Sequence, residues 1–146
     1  MIQEPGGNQI IINVVVKAEF ESKHAASKLE LKIPIPKSAS NVALNRTSKS
    51  GKAKYSSGSN EVIWRMKDFR GGKTATLEIK IDLLATATKK KWAKPPISLF
   101  FEVPFACSGL TVNYVLVSER KIGYTDSDVK KWVRYLASAG SYETRY

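Results

Sequence analysis

Lys28-Leu29-Glu30-Leu31-Lys32-Ile33-Pro34-Ile35 is the stretch on which the fold turns. Leu29, Leu31, Ile33 and Ile35 alternate with Lys28, Glu30, Lys32 and Pro34. A strict period of two places one set on each face of a strand, so one face is buried and the other is basic. Pro34 and Pro36 cannot donate to a central ladder, which places the end of this strand at a sheet edge or a turn.

The same pattern recurs on both sides of it. Residues 10–20 settle into alternation, with Val14, Val16, Ala18 and Phe20 against Val15, Lys17 and Glu19. Residues 41–44 read as a short strand, and Lys52, Ala53, Lys54 and Tyr55 as another with both lysines on one face. After a turn at 56–60, residues 61–66 place Val62 and Trp64 one way and Ile63 and Arg65 the other, which allows a hairpin. Arg70-Gly71-Gly72-Lys73 is a further turn. Leu77, Ile79, Ile81 and Leu83 then point inward, as do Leu99, Phe101, Val103 and Phe105, and next Leu110, Val112, Tyr114 and Leu116. Many short strands with frequent turn signals predict an all-β chain, an immunoglobulin-like antiparallel β-sandwich.

The 146 residues are 42% apolar and 25% charged, which is globular, and one domain is the expectation for this length. The formal net charge of +11 implies an anionic partner: a membrane surface, nucleic acid or an acidic protein segment. A single cysteine, Cys107, forbids an internal disulfide, and its neighbours Phe105, Ala106 and Leu110 predict a small buried residue. Residues 1–7 lack a basic apolar leader, and no apolar run is long enough to span a membrane.

Catalytic chemistry finds little to work with. His24 and Cys107 stand in unrelated contexts, so neither a Cys/His metal site nor a nucleophile–base pair is suggested. Ser50-Gly51-Lys52 lacks the earlier glycine and the following hydroxyl of a phosphate loop. Asp126 and Asp128 fit a cap or turn better than an acid/base pair. The expectation is a binding module, not an enzyme, with no cofactor. Its anion-binding candidates are Lys52, Lys54, Arg65 and Lys67, which period two gathers on neighbouring strands; the bland alternative is a solvated face. Lys89, Lys90, Lys91 and Lys94 add to the basic field.

Residues 126–146 admit two readings. As a strand they project Lys130, Trp132 and Arg134 one way and Lys131, Val133 and Tyr135 the other; as a helix, Val129, Trp132, Val133 and Leu136 share a face. Lys-Lys-Lys-Trp-Ala-Lys-Pro-Pro-Ile-Ser from Lys89, Phe-Glu-Val-Pro-Phe-Ala from Phe101, Tyr-Thr-Asp-Ser-Asp-Val from Tyr124 and Lys-Trp-Val-Arg-Tyr from Lys131 closely resemble the medium (mu) subunits of the plasma-membrane clathrin adaptor complex. The final Tyr-Glu-Thr-Arg, Gly51-Lys52-Ala53-Lys54-Tyr55 and Trp64 extend the likeness over nearly the whole chain.

The resemblance implies a share of the mu homology domain. Residues 1–106 would be its inserted β-sandwich subdomain, and 107–146 the terminal strands of an incomplete cargo-binding subdomain. It implies phosphorylated inositol lipids as ligands of the lysine-rich strand, although Ser56 stands where a close relative carries another lysine. It also implies a site for tyrosine-based cargo tails, with Trp132 and Arg134 on the tyrosine side and Val112, Val115 and Val133 lining an apolar pocket. Peptide binding should be weak where half of that pocket is missing, and open strand edges after Ser108 should favour a homo-oligomer or strand exchange. Other adaptor subunits would be partners, and the location would be cytoplasmic, peripheral at plasma-membrane clathrin-coated pits. The competing reading is a basic β-domain for single-stranded nucleic acid, with Trp64, Tyr55 and Trp132 stacking bases, or for acidic partner proteins.

Overall fold

The computed structural model describes residues 2–4, 8–46, 51–84, 92–118 and 125–145. Among the described residues nine strands follow one another: β1 (Ile2–Gln3), β2 (Gln9–Lys17), β3 (Ala25–Pro34), β4 (Ala39–Arg46), β5 (Lys52–Ser56), β6 (Glu61–Arg70), β7 (Thr74–Leu83), β8 (Ile97–Val103) and β9 (Ala137–Thr144). They form two antiparallel sheets, in the orders β1-β2-β7-β4 and β5-β6-β3-β8-β9. The expected all-β sandwich is the observed one.

Alternation builds the core. Ile10, Ile12 and Val14 from β2 and Leu77, Ile79 and Ile81 from β7 face Leu29, Leu31 and Ile33 from β3 and Val62, Trp64 and Met66 from β6, all buried. Each fully buried aliphatic side chain contributes about 1.5–3 kcal/mol of transfer free energy, so the sheets are held mainly by these inward rows. Trp64 is the largest side chain sealed in the core.

The hairpin of β5 and β6 forms as expected, but β6 runs past Met66 to Arg70. At Asp68 the backbone takes φ 50°, and the alternation slips so that both Met66 and Phe69 are buried. Residues 41–44 likewise belong to a longer strand, β4.

Three expectations give way after Val103. Phe105 lies beyond β8, its ring set 5.4 Å from Phe20 and 4.8 Å from His24 between centroids. Cys107 is exposed, not buried: it falls in a turn at 107–108, past the end of β8. Residues 110–116, expected as a strand, have no ladder: Leu110, Tyr114 and Leu116 are 71%, 82% and 70% exposed. Alternation makes a strand only where a neighbouring strand supplies hydrogen bonds, and none is placed beside this segment among the described residues.

The terminal stretch is resolved in part against each sequence reading. A 3-10 turn, Asp126–Asp128, stands where a helix cap was available, and it does not grow into a helix. Residues 130–136 belong to no strand either; the paired strand is β9, which begins at Ala137 and lies on β8 at the border of the five-stranded sheet. No helix among the described residues is long and apolar enough to cross a membrane.

Candidate functional site

The outward row of β5 and β6 gathers the four cations singled out in the sequence. Antiparallel pairing sets Lys52 opposite Arg65 and Lys54 opposite Ile63, while Ala53 and Tyr55 pair with the buried Trp64 and Val62. Period two then fixes the face: with Trp64 sealed beneath, Arg65 and Lys67 must point to solvent together with Lys52 and Lys54. All four are exposed. They line one shallow groove with Ile63, Ser57 and Gly58.

Gly51 makes the approach of β5 possible. Its φ is +81°, and a Cβ there would lie 2.3 Å from the Arg65 carbonyl oxygen and 2.4 Å from Met66 Cγ. Only glycine lets the two strands close at the start of the ladder. At the other end Ser56 faces Glu61, so the positive run fades along β5.

The cations differ in their engagement. Arg65 Nε donates to Glu30 Oε2 at 2.6 Å, because β3 sets Glu30 directly opposite Arg65. Lys28, opposite Lys67, is held by Glu102 at 3.2 Å. Among the described residues no carboxylate lies within ion-pair reach of Lys52, Lys54 or Lys67. The face thus offers three ammonium groups without a carboxylate partner among the described residues and a guanidinium already bound to one carboxylate. Four like charges on a common surface repel one another, and an anion settling among them relieves that repulsion. Glu30 went unnoticed as a site residue, although its position between Lys28 and Lys32 on the basic side of β3 was the signal for it. Lys94 is paired with Glu4 at 3.0 Å, and Lys89, Lys90 and Lys91 lie outside the described residues.

The cargo candidates are placed differently. Trp132 is 79% exposed, and Val112, Val115, Val133 and Arg134 are exposed as well. The Val112 amide donates to the Tyr135 hydroxyl at 2.7 Å, which ties residues 109–118 to residues 130–136 at one point. A second tie runs from the Val117 amide to Asp126 Oδ1 at 3.0 Å. The hydrogen bond from Lys131, then that amide, hold the Asp126 carboxyl below the usual aspartate range. The Asp128 carboxyl is lowered by the Thr125 hydroxyl and amide, at 2.6 and 2.9 Å. Both aspartates therefore do turn work. Among the described residues no three His, Cys, Asp or Glu gather as metal ligands.

The sequence profile of the adaptor complexes medium subunit family matches residues 1–146. The chain belongs to that family. It is 46% identical over 147 residues to the AP-2 complex subunit mu of Caenorhabditis elegans, covering 99% of this chain and 33% of that protein. It is 36% identical over 148 residues to the AP-2 complex subunit mu of Dictyostelium discoideum, covering 99% of this chain and 32% of that one. This medium-subunit chain thus spans about a third of the length of the relatives it matches.

Proposed function

We propose that this medium-subunit chain serves vesicle-mediated transport as a membrane-docking part of an adaptor complex, binding anionic inositol lipids through the outward face of β5 and β6. The observation that carries this reading is the register: Lys52 and Arg65 form a direct cross-strand pair, and Lys54 and Lys67 share their face. The groove is open and shallow, which suits a headgroup presented by a surface, and each basic side chain near an anionic leaflet contributes about 1 kcal/mol. Docking by this face alone is weak and works together with other contacts, including those of other adaptor subunits at plasma-membrane clathrin-coated pits.

Residues 107–146 carry the second part of the reading, with 110–116 and 130–136 as the segments that serve a cargo site. Trp132 and Arg134 hold the tyrosine of a cargo tail, and Val112, Val115 and Val133 its bulky apolar residue, once neighbouring strands draw residues 110–116 and 130–136 into a sheet. Alone, the chain binds such peptides weakly. The exposed apolar row of Leu110, Tyr114 and Leu116 supports self-association through these segments.

Flotation with phosphatidylcholine vesicles, with and without phosphatidylinositol bisphosphate, tests the docking reading when run beside an oligonucleotide shift at the same salt. Selective flotation with the bisphosphate lipid is the expected result. Equal flotation with both vesicles, together with a tight oligonucleotide shift, would favour a nucleic-acid module, in which both interactions weaken with salt. Trp64 speaks against that alternative, since a base-stacking ring must be accessible and this one is fully buried.

A further inference from the structure

We infer that Glu30 sets the selectivity of the basic face by competing, from the neighbouring strand, for Arg65. The inference rests on the anion-binding reading above and asks which anions the face prefers.

Three neighbouring strands build one row across the sheet: Lys52 on β5, Arg65 on β6 and Glu30 on β3, each opposite the next. Arg65 is the middle member. Its Nε is 2.6 Å from the Glu30 carboxylate, while Lys52 on its other side has no carboxylate partner among the described residues. The Glu30 side chain is only 25% exposed against 66% for Arg65, so the carboxylate stays in place and the guanidinium is the group that can move. A ligand settling over Lys52 and Lys54 therefore recruits the fourth strong donor only by drawing Arg65 away from Glu30.

That exchange has a cost that does not depend on the ligand, whereas the attraction that drives it grows with ligand charge. A singly charged headgroup such as phosphatidylserine leaves Arg65 on Glu30 and is held by the lysines alone. A multiply phosphorylated headgroup draws Arg65 across and gains a planar fork of donors suited to phosphate oxygens. The Glu30 carboxylate thus works as a brake: highly charged headgroups bear the full cost of the exchange, while weakly charged ones forgo only the smaller attraction of Arg65.

Glu30→Gln keeps the side chain's size and leaves an oxygen for Arg65 Nε, but removes the competing charge. The full chain and its variants are titrated with vesicles carrying either phosphatidylserine or phosphatidylinositol bisphosphate. For Glu30→Gln, binding to bisphosphate vesicles rises about threefold, the size an exposed pair of good geometry can withhold. Binding to phosphatidylserine vesicles rises less, so the preference widens. Glu102→Gln makes the same change in net charge beside Lys28, away from Arg65, and leaves the preference as it is. In an Arg65→Gln background the Glu30→Gln change no longer alters the preference.

The inference is overturned if Glu30→Gln leaves the preference unchanged or narrows it, if it weakens binding to both vesicles, or if Glu102→Gln widens the preference equally. Lys52→Glu/Lys54→Glu separates the two levels. If that double variant floats like the parent, the anion-binding reading of the face itself fails; if it is lost while Glu30→Gln is silent, only the role of Glu30 fails.

Discussion

Reversing two charges, Lys52→Glu and Lys54→Glu, is the perturbation whose size the register makes calculable. Neutralising both lysines removes about 2 kcal/mol of attraction to an anionic leaflet, roughly 30-fold in apparent affinity. Reversal adds repulsion of similar size. It also does something the pairing specifies: a carboxylate at position 52 sits directly opposite Arg65 and can take the guanidinium from the groove side, as Glu30 holds it from the other. The sum is about 4 kcal/mol, or about a thousand-fold. Both lysines are exposed and neither touches the core, so the variant keeps the stability of the parent within about 0.5 kcal/mol. Vesicle titration at about 0.15 M salt reads the affinity, and urea unfolding checks the fold. A drop of less than about threefold, with folding intact, would refute the placement of the site on β5 and β6.

Other expectations are independent of lipid. Gly51→Ala places a Cβ against the Arg65 carbonyl at a positive φ, so urea unfolding should show a loss of about 1–3 kcal/mol, and an unchanged midpoint would contradict the close entry of β5. The exposed Cys107 thiol should react completely with a thiol reagent under native conditions, whereas a thiol that reacts only in denaturant would restore the buried reading. Asp82 accepts from the side chains of Asn41 and Gln9 at 3.0 Å each, which hold its carboxyl below the usual range. A depressed folded-state pKa means that its contribution is complete above the ordinary aspartate pKa and is lost as pH falls through the lower folded value. Carboxyl NMR titration should place the Asp82 midpoint below that of a free aspartate, and an ordinary midpoint would show that these bonds do not persist in solution.

What could be read in the chain divides along one physical line. Where a strand has both a buried face and a partner, as at Leu29, Leu31 and Ile33 or at Leu77, Ile79 and Ile81, alternation sufficed, because burial imposes it. The same rule placed Arg65 outward by placing Trp64 inward, and so assembled the basic face. It misled at residues 110–116, whose alternation is as regular, since a pattern names the face a strand would bury and does not supply the neighbour that pairs with it. It ended β6 early because the left-handed Asp68 breaks the period that the count relies on. Glu30 was visible only as an outward residue of β3; its meeting with Arg65 depends on cross-strand register, which connects positions 35 residues apart.

The most direct measurement is an amide NMR map of the chain on nanodiscs carrying phosphatidylinositol bisphosphate, compared with phosphatidylcholine nanodiscs. The changes should fall on β5 and on Ile63, Arg65 and Lys67 of β6, leaving the outer face of the β1-β2-β7-β4 sheet unmoved. Changes concentrated on that opposite sheet or on β9, with β5 and β6 silent, would contradict the docking face assigned to this chain.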